Sequence, residues 1–178
     1  LDLRDIKLKE SDKAVAINQY GFSKLSAESF IREADKHSLI IRSNFFHFNL
    51  HSPKTFLDHL IDGVRRKKVF YSFSDVFLTP ISTLQLATYI EELVEIDFAG
   101  IVNIACSEVL SKFDFHNAVL KEMNTPSDFH LPVLLDSVEL HAQRPRYMAL
   151  DNSLLEKSLG VKVPSLYDMI KSELQLSK

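Results

Sequence analysis

The chain has 178 residues, 46% of them hydrophobic and 25% charged, with a formal net charge of −3. That is enough apolar material for a buried core, and it gives no broad attraction to phosphate backbones or anionic lipid, so nucleic acid and membrane surfaces are not expected partners. A single cysteine, Cys106, excludes an internal disulfide, no cysteine and histidine spacing resembles a zinc site, and no apolar run approaches the ~18–20 residues that span a bilayer; a reducing, cytoplasmic setting without a metal is the expectation.

The opening LDLRDIKLKESDK has neither a signal-peptide pattern nor an initiator methionine, which suggests a fragment, a processed product or part of something longer. From about Asn18 to Lys36, Phe22, Leu25, Ala27, Phe30, Ile31 and Ala34 recur at helical spacing. The run Ser38–Ser43 that follows reads as a buried, parallel-type strand. Phe56, Leu57, Leu60, Ile61 and Val64 predict a second helix over Pro53–Arg66, and the basic run from Arg65 to Lys68 its solvated end. Lys68–Leu78 has the composition of two short strands, broken at Ser74–Asp75 and stopped at Thr79–Pro80. Ile81–Ile96 reads as a helix with Ser82 or Thr83 as its cap, and Gly100–Ala105 as the next strand. A helix from Ser111 ends near Asn124–Pro126, Leu131–Leu140 is extended or irregular, and two last helices run from Asn152 to Leu159, closed by Gly160, and from Ser165 to Leu174. Alternating helices and short strands define an α/β class.

Tyr20 and Lys24 form a Tyr-x-x-x-Lys pair, which a helix places on one face about a turn apart. A phenol is a poor proton donor at neutral pH, but a fixed cation beside it stabilises phenolate and makes it a usable general acid for an oxygen whose carbon receives hydride. The pentad alone also fits an exposed tyrosine beside a lysine. Its surroundings, Asn18-Gln19-Tyr20-Gly21-Phe22-Ser23-Lys24-Leu25-Ser26-Ala27-Glu28, resemble the N-x-Y-G-x-S-K-L-x-x-E signature of the extended short-chain dehydrogenases/reductases. Further stretches match that family in order: Leu39–Phe46, Asp75–Ile81 with Gln85-Leu86-Ala87, Gly100–Ala105 with Ser111–Phe115, and Gln143–Ser153. Within the family they are most similar to the dTDP-4-dehydrorhamnose reductase branch and its sugar-nucleotide-modifying relatives.

The resemblance implies the C-terminal part of a Rossmann-like NAD(P)-binding fold plus the small substrate-binding region. Residues 1–50 would carry the catalytic helix and following strand of an incomplete Rossmann-like domain, and residues 51–178 the substrate-binding region with the late strand and C-terminal helices. Tyr20 would be the general acid, and Lys24 would hold the nicotinamide ribose and tune the tyrosine. Asn44 and Phe45 would lie near nicotinamide or sugar, or serve as a polar strand end and a core aromatic. Thr79 would touch substrate or cap the turn before Pro80. Arg144 and Arg146 would bind a nucleotide diphosphate or form surface ion pairs. NADPH or NADH is the implied cofactor, a nucleotide sugar the implied substrate.

Three departures from the family stand out. No glycine-rich turn that holds a dinucleotide pyrophosphate is present, the glycines being Gly21, Gly63, Gly100 and Gly160. No strand upstream of Tyr20 supplies the usual serine or threonine, for which Ser11 in a polar loop is a poor substitute. Ser153-Leu154-Leu155 stands where relatives usually have a lysine. The chain alone is therefore expected to be inactive, with an exposed apolar edge on the strand after the Tyr helix that a homodimer or domain swap could cover. Epimerase or dehydratase chemistry on nucleotide sugars uses the same tyrosine and lysine, and a non-catalytic regulatory relative would keep the fold without the reaction. A plain interaction module would instead display Phe45, Phe46, Phe48 and Phe73 as a docking surface. The seven histidines share no metal-binding pattern and are expected to be structural or solvated.

Overall fold

The structure, a computed structural model, describes residues 6–48 and 55–176. The elements in chain order are α1 (Gln19–Ala34), β1 (Leu39–Phe46), α2 (Phe56–Arg65), β2 (Phe70–Phe73), β3 (Phe77–Leu78), β4 (Pro80–Ser82), α3 (Thr83–Glu95), β5 (Gly100–Ile104), β6 (Leu110–Ser111), α4 (Lys112–Glu122), β7 (His130–Val133), β8 (Tyr147–Met148), α5 (Ser153–Leu159) and α6 (Leu166–Leu176). Pro53, the expected start of the second helix, and His51 lie outside the described residues. Side-chain oxygens set the starts of five helices: Asn18 for α1, Thr55 for α2 in a reciprocal capping box with Asp58, Ser82 for α3, Ser111 for α4 and Ser165 for α6. Gly160 closes α5 at φ 69°, and Gly100 opens β5 at φ 113°; both conformations are ones that side chains rarely adopt.

The main sheet is parallel, in the order β4-β1-β5. β1 pairs β5 from Leu39↔Gly100 to Ser43↔Ile104 and β4 from Asn44↔Pro80 to Phe46↔Ser82. The strand of residues 1–50 thus shares its sheet with two strands of residues 51–178. β2 and β7 form a parallel pair, and β3 lies between antiparallel β6 and parallel β8. The core gathers Leu60 and Ile61 of α2, Ile81 of β4, Leu93 of α3, Val102 and Ile104 of β5, Val119 and Leu120 of α4, Leu155 of α5 and Ile170 of α6, all buried. Glu173 of α6 is buried at the start of α3, where it accepts hydrogen bonds from Thr83 Oγ1 (2.7 Å) and the Leu84 amide (3.3 Å); the positive end of a helix is a favourable place for a carboxylate.

The structure corrects the sequence reading in several places. The chain does not stop at Thr79–Pro80 and enter a helix at Ile81: β4 intervenes, with Pro80 as its first residue, where a missing N–H is tolerated, and Ile81 fully buried. The stretch 131–140, by contrast, is extended and then irregular as expected, beginning within β7 and continuing through a 3-10 turn at Leu135–Ser137. Within β1 only Ile40 and Phe46 are buried, so this strand is less enclosed than its apolar run suggests. The four phenylalanines do not form a docking surface: Phe46 and Phe48 are in the core, Phe73 is half-buried, and Phe45 is exposed.

The pair β2–β7 is tied to α4 by a buried polar chain. Ser72 Oγ lies 2.7 Å from His116 Nδ1 and 2.8 Å from His130 Nε2, and His130 Nδ1 lies 2.8 Å from Asn117 Oδ1. Burial pushes both imidazoles down, His116 to about 3, with the neighbouring His130 and Lys112 adding to the effect, and His130 to about 4. An unfolded chain with ordinary histidines binds protons near pH 6.5 that the folded chain refuses until about pH 4 to 3. Stability contributed by the neutral rings is therefore present above pH 6.5 and is lost as pH falls through that window. Urea unfolding between pH 7 and 4 should show a falling midpoint, with a shallower fall in His116→Gln.

Candidate active site

α1 has no buried residue, and one of its faces looks onto an open cleft of about 960 Å³. Tyr20, Lys24, Ala27, Glu28 and Ile31, spaced by three and four, line one wall. Ile40 to Asn44 of β1 line another. Successive strand residues alternate faces, so five in a row along one cleft present the edge of β1 rather than a face. Residues of the N-terminal segment from Leu8 to Ile17 and of the stretch Pro145–Leu150 complete the lining.

Local chemistry fixes the start of α1. Asn18 Oδ1 accepts from the Gly21 amide at 2.8 Å, while Asn18 Nδ2 donates to the Gln143 carbonyl at 2.7 Å, so one side chain caps the helix and fastens it to the stretch before Pro145. Ser23 Oγ donates to the Tyr20 carbonyl at 2.8 Å. Tyr20 is 71% exposed, and Lys24 Nζ lies 5.5 Å from its ring centroid.

On β1, Ser43 Oγ and Asn44 Oδ1 are buried atoms without a hydrogen-bond partner among the described residues, both on residues lining the cleft. Buried polar oxygens of this kind mark a place where a ligand donor would be favourable. Phe45 is 65% exposed, and so is not the core aromatic that was one of its two expected roles. Arg42 reaches back to α1 and holds Glu28 with two bonds, Nε–Oε1 at 2.9 Å and Nη2–Oε2 at 2.6 Å. Leu8 forms a parallel bridge with Leu150 and accepts from Asn103 Nδ2 at 3.0 Å, while Glu10 Oε1 accepts from the Asn103 amide at 2.9 Å; these bonds hold the N-terminal segment over β5.

The remaining expected site residues are placed differently. Thr79 is fully buried, and its Oγ1 accepts from the Leu150 amide at 2.9 Å, a structural role that takes it out of the substrate-facing set. Arg146 lines the cleft but is held by Asp75 Oδ2 at 3.2 Å and by Asp136, while Asp75 also accepts from the Leu135 amide. Arg144 is exposed, and its charge adds to the burial that keeps Lys112 below the ordinary lysine range. Ser11 is exposed. Cys106 is buried and its thiol pushed up to about 12, chiefly by burial, which makes it unreactive. No group of three or more metal-ligating side chains occurs among the described residues, and no helix among them is long and apolar enough to cross a membrane. The sequence reading missed Asn18's double role and the Glu28–Arg42 pair, although Asn18, Gly21 and Glu28 stand inside the signature it used.

A parallel sheet with a Tyr-x-x-x-Lys helix beside its middle strand has the Rossmann-like α/β arrangement seen in solved reductases. The structure matches dTDP-4-dehydrorhamnose reductase from Bacillus anthracis, solved with NADP, at a TM-score of 0.86 and 20% identity over 96% of this chain and 59% of that one. It matches the Yersinia enterocolitica dTDP-4-dehydrorhamnose reductase at 0.84 and 24%, over 97% and 61%. At these identities the likeness is one of fold. Residues 4–177 match the family described as RmlD substrate binding domain, and the chain belongs to that family. A curated relative, the probable low-salt glycan biosynthesis reductase Agl14 of Haloferax volcanii, is 24% identical over 163 residues, 90% of this chain and 54% of its own length. The chain thus spans about half the length of that relative and three-fifths of the solved structures.

Replacing Asn18 removes the α1 cap and the Gln143 tether together. Asn18→Ala should cost at least about 1 kcal/mol in chemical denaturation, the usual size of a lost N-cap.

Proposed function

We propose that this chain is the catalytic and substrate-binding part of an NAD(P)-dependent nucleotide-sugar reductase of the extended short-chain dehydrogenase/reductase type, acting on a 4-keto sugar. The observation that carries the reading is the convergence of Tyr20, Lys24 and the unpartnered Asn44 oxygen on one cleft. Support comes from the family, from Agl14's description as a glycan biosynthesis reductase, and from the NADP complex of the Bacillus anthracis reductase. In this reading residues 1–50 carry the catalytic helix and strand, and residues 51–178 hold the nucleotide sugar.

The residues present suit the nicotinamide end of a dinucleotide: a cation for ribose hydroxyls in Lys24, and acceptors for amide or hydroxyl donors in Ser43 and Asn44. They do not supply a glycine-rich cradle for its pyrophosphate, so the activity proposed is that of the whole protein and the 178 residues alone are inactive. The bound cofactor supplies hydride to the sugar carbonyl carbon. Tyr20 donates its phenolic proton to the carbonyl oxygen, and Lys24 stabilises the phenolate that remains. Arg144, free of an ion pair among the described residues, is the arginine left available for the diphosphate.

In the full-length protein, Tyr20→Phe should lower kcat by ~10²–10⁴-fold, the usual worth of a general acid, while leaving dinucleotide binding nearly unchanged. Unchanged turnover of a dTDP- or UDP-linked 4-keto sugar would remove Tyr20 from the mechanism. Product analysis on the same reaction separates reduction from epimerisation or dehydration.

A further inference from the structure

Tyr20, Lys24 and Glu28 follow one another at four-residue spacing on the cleft face of α1. Helical geometry makes Glu28 a natural ion-pair partner for Lys24 one turn before it. Yet Lys24 makes no ion pair among the described residues, and its ammonium lies over the Tyr20 ring instead. Both Glu28 oxygens are taken by the Arg42 guanidinium, in a two-bond grip at 2.9 and 2.6 Å whose partners are each only 20% exposed. A two-pronged donor satisfies both oxygens of the carboxylate in a way that a lysine could not.

We propose that Arg42 is a positioning residue for the Tyr20–Lys24 pair: by holding Glu28 against β1 it keeps that carboxylate off Lys24, whose charge then acts on the phenol. Without the grip, Glu28 draws the ammonium down the helix, away from the tyrosine, and cancels part of its charge. The other charged groups facing the cleft are differently engaged or cationic. Asp12 accepts from the Lys9 amide at 2.7 Å, Arg146 is held by Asp75 and Asp136, and Lys9 and Lys13 are themselves cations. Glu10 adds to the field that holds Arg42 in place, while its Oε1 accepts from the Asn103 amide.

The inference rests on the reading of Tyr20 as proton donor, but its test needs no turnover. Tyrosinate absorbance is titrated in each variant and in the same variant carrying Tyr20→Phe, so that the difference reports Tyr20 alone. Arg42→Met should raise the Tyr20 midpoint above that of the wild type, because a cation left beside the phenol favours phenolate and a cancelled one does not. The double variant Glu28→Gln/Arg42→Met should return it to the wild-type value, and Glu28→Gln alone should leave it there. An unmoved midpoint in Arg42→Met overturns the proposal, as does a double variant that stays displaced, since helix placement rather than the carboxylate would then be responsible. Should circular dichroism show that Arg42→Met does not fold, Arg42→Gln, which keeps a donor for Glu28, should shift in the same direction by a smaller amount, and no shift there also overturns it. A Tyr20→Phe protein with full turnover would sink the proton-donor reading while leaving this electrostatic result standing.

Discussion

The parallel pairing of β1 is the constraint on which the rest of the molecule depends. Its first five residues are in register with β5, and its last three with β4. A one-residue slip in either ladder would exchange the faces of every side chain on the strand. Ile40 and Phe46 would leave the core, Phe45 would enter it, and the Arg42 fork would lose Glu28. The same register sets where α1 lies, because the helix is joined to β1 by a short connection and tied across it by that ion pair. The catalytic-type side chains of α1 thus owe their position to a strand that carries few of the chemical groups in the cleft.

Much of this was legible in the sequence, and the reasons differ by element. α1, α3, α4 and α5 could be located to within a residue or two because each has a capping side chain or a closing glycine at a position that local chemistry dictates. β4 was not, because three residues beginning with proline give no periodicity, and only the neighbouring β1 makes them a strand. The division of Lys68–Leu78 followed from Ser74–Asp75, yet nothing local indicates that β2 pairs with β7, some 60 residues on in the chain. Tyr20 and Lys24 were legible because helical spacing is a local property. The hydrogen bond that buried Thr79 makes was not legible, because its partner, the Leu150 amide, comes from a distant part of the chain. Arg144 and Arg146 look alike in sequence, and only the fold brings Asp75 and Asp136 to one of them.

The charges around the cleft divide into those already satisfied and those left to act. Arg146, Glu28 and Arg42 are held by partners within the fold, which stiffens the walls without leaving a net attraction for a ligand. Lys24, on the helix, and Arg144, in the stretch that Asn18 fastens to it, are two of the cations without such partners among the described residues, beside Lys9 and Lys13 of the cleft's N-terminal wall. Because Lys24 and Arg144 are exposed, their interactions with an anion are screened by salt and by water, so orientation rather than strong binding is what they contribute.

The buried Ser72 hydroxyl has one proton to share between two imidazoles. With Asn117 Oδ1 accepting from His130 Nδ1, His130 Nε2 must accept from Ser72, and Ser72 in turn must accept from His116 Nδ1, so both rings carry their proton on Nδ1. Turning the Asn117 amide over reverses every bond in the chain and moves both protons to Nε2. The two rings, on α4 and at the start of β7, therefore have a single tautomeric degree of freedom between them, set by an asparagine side chain next to one of them.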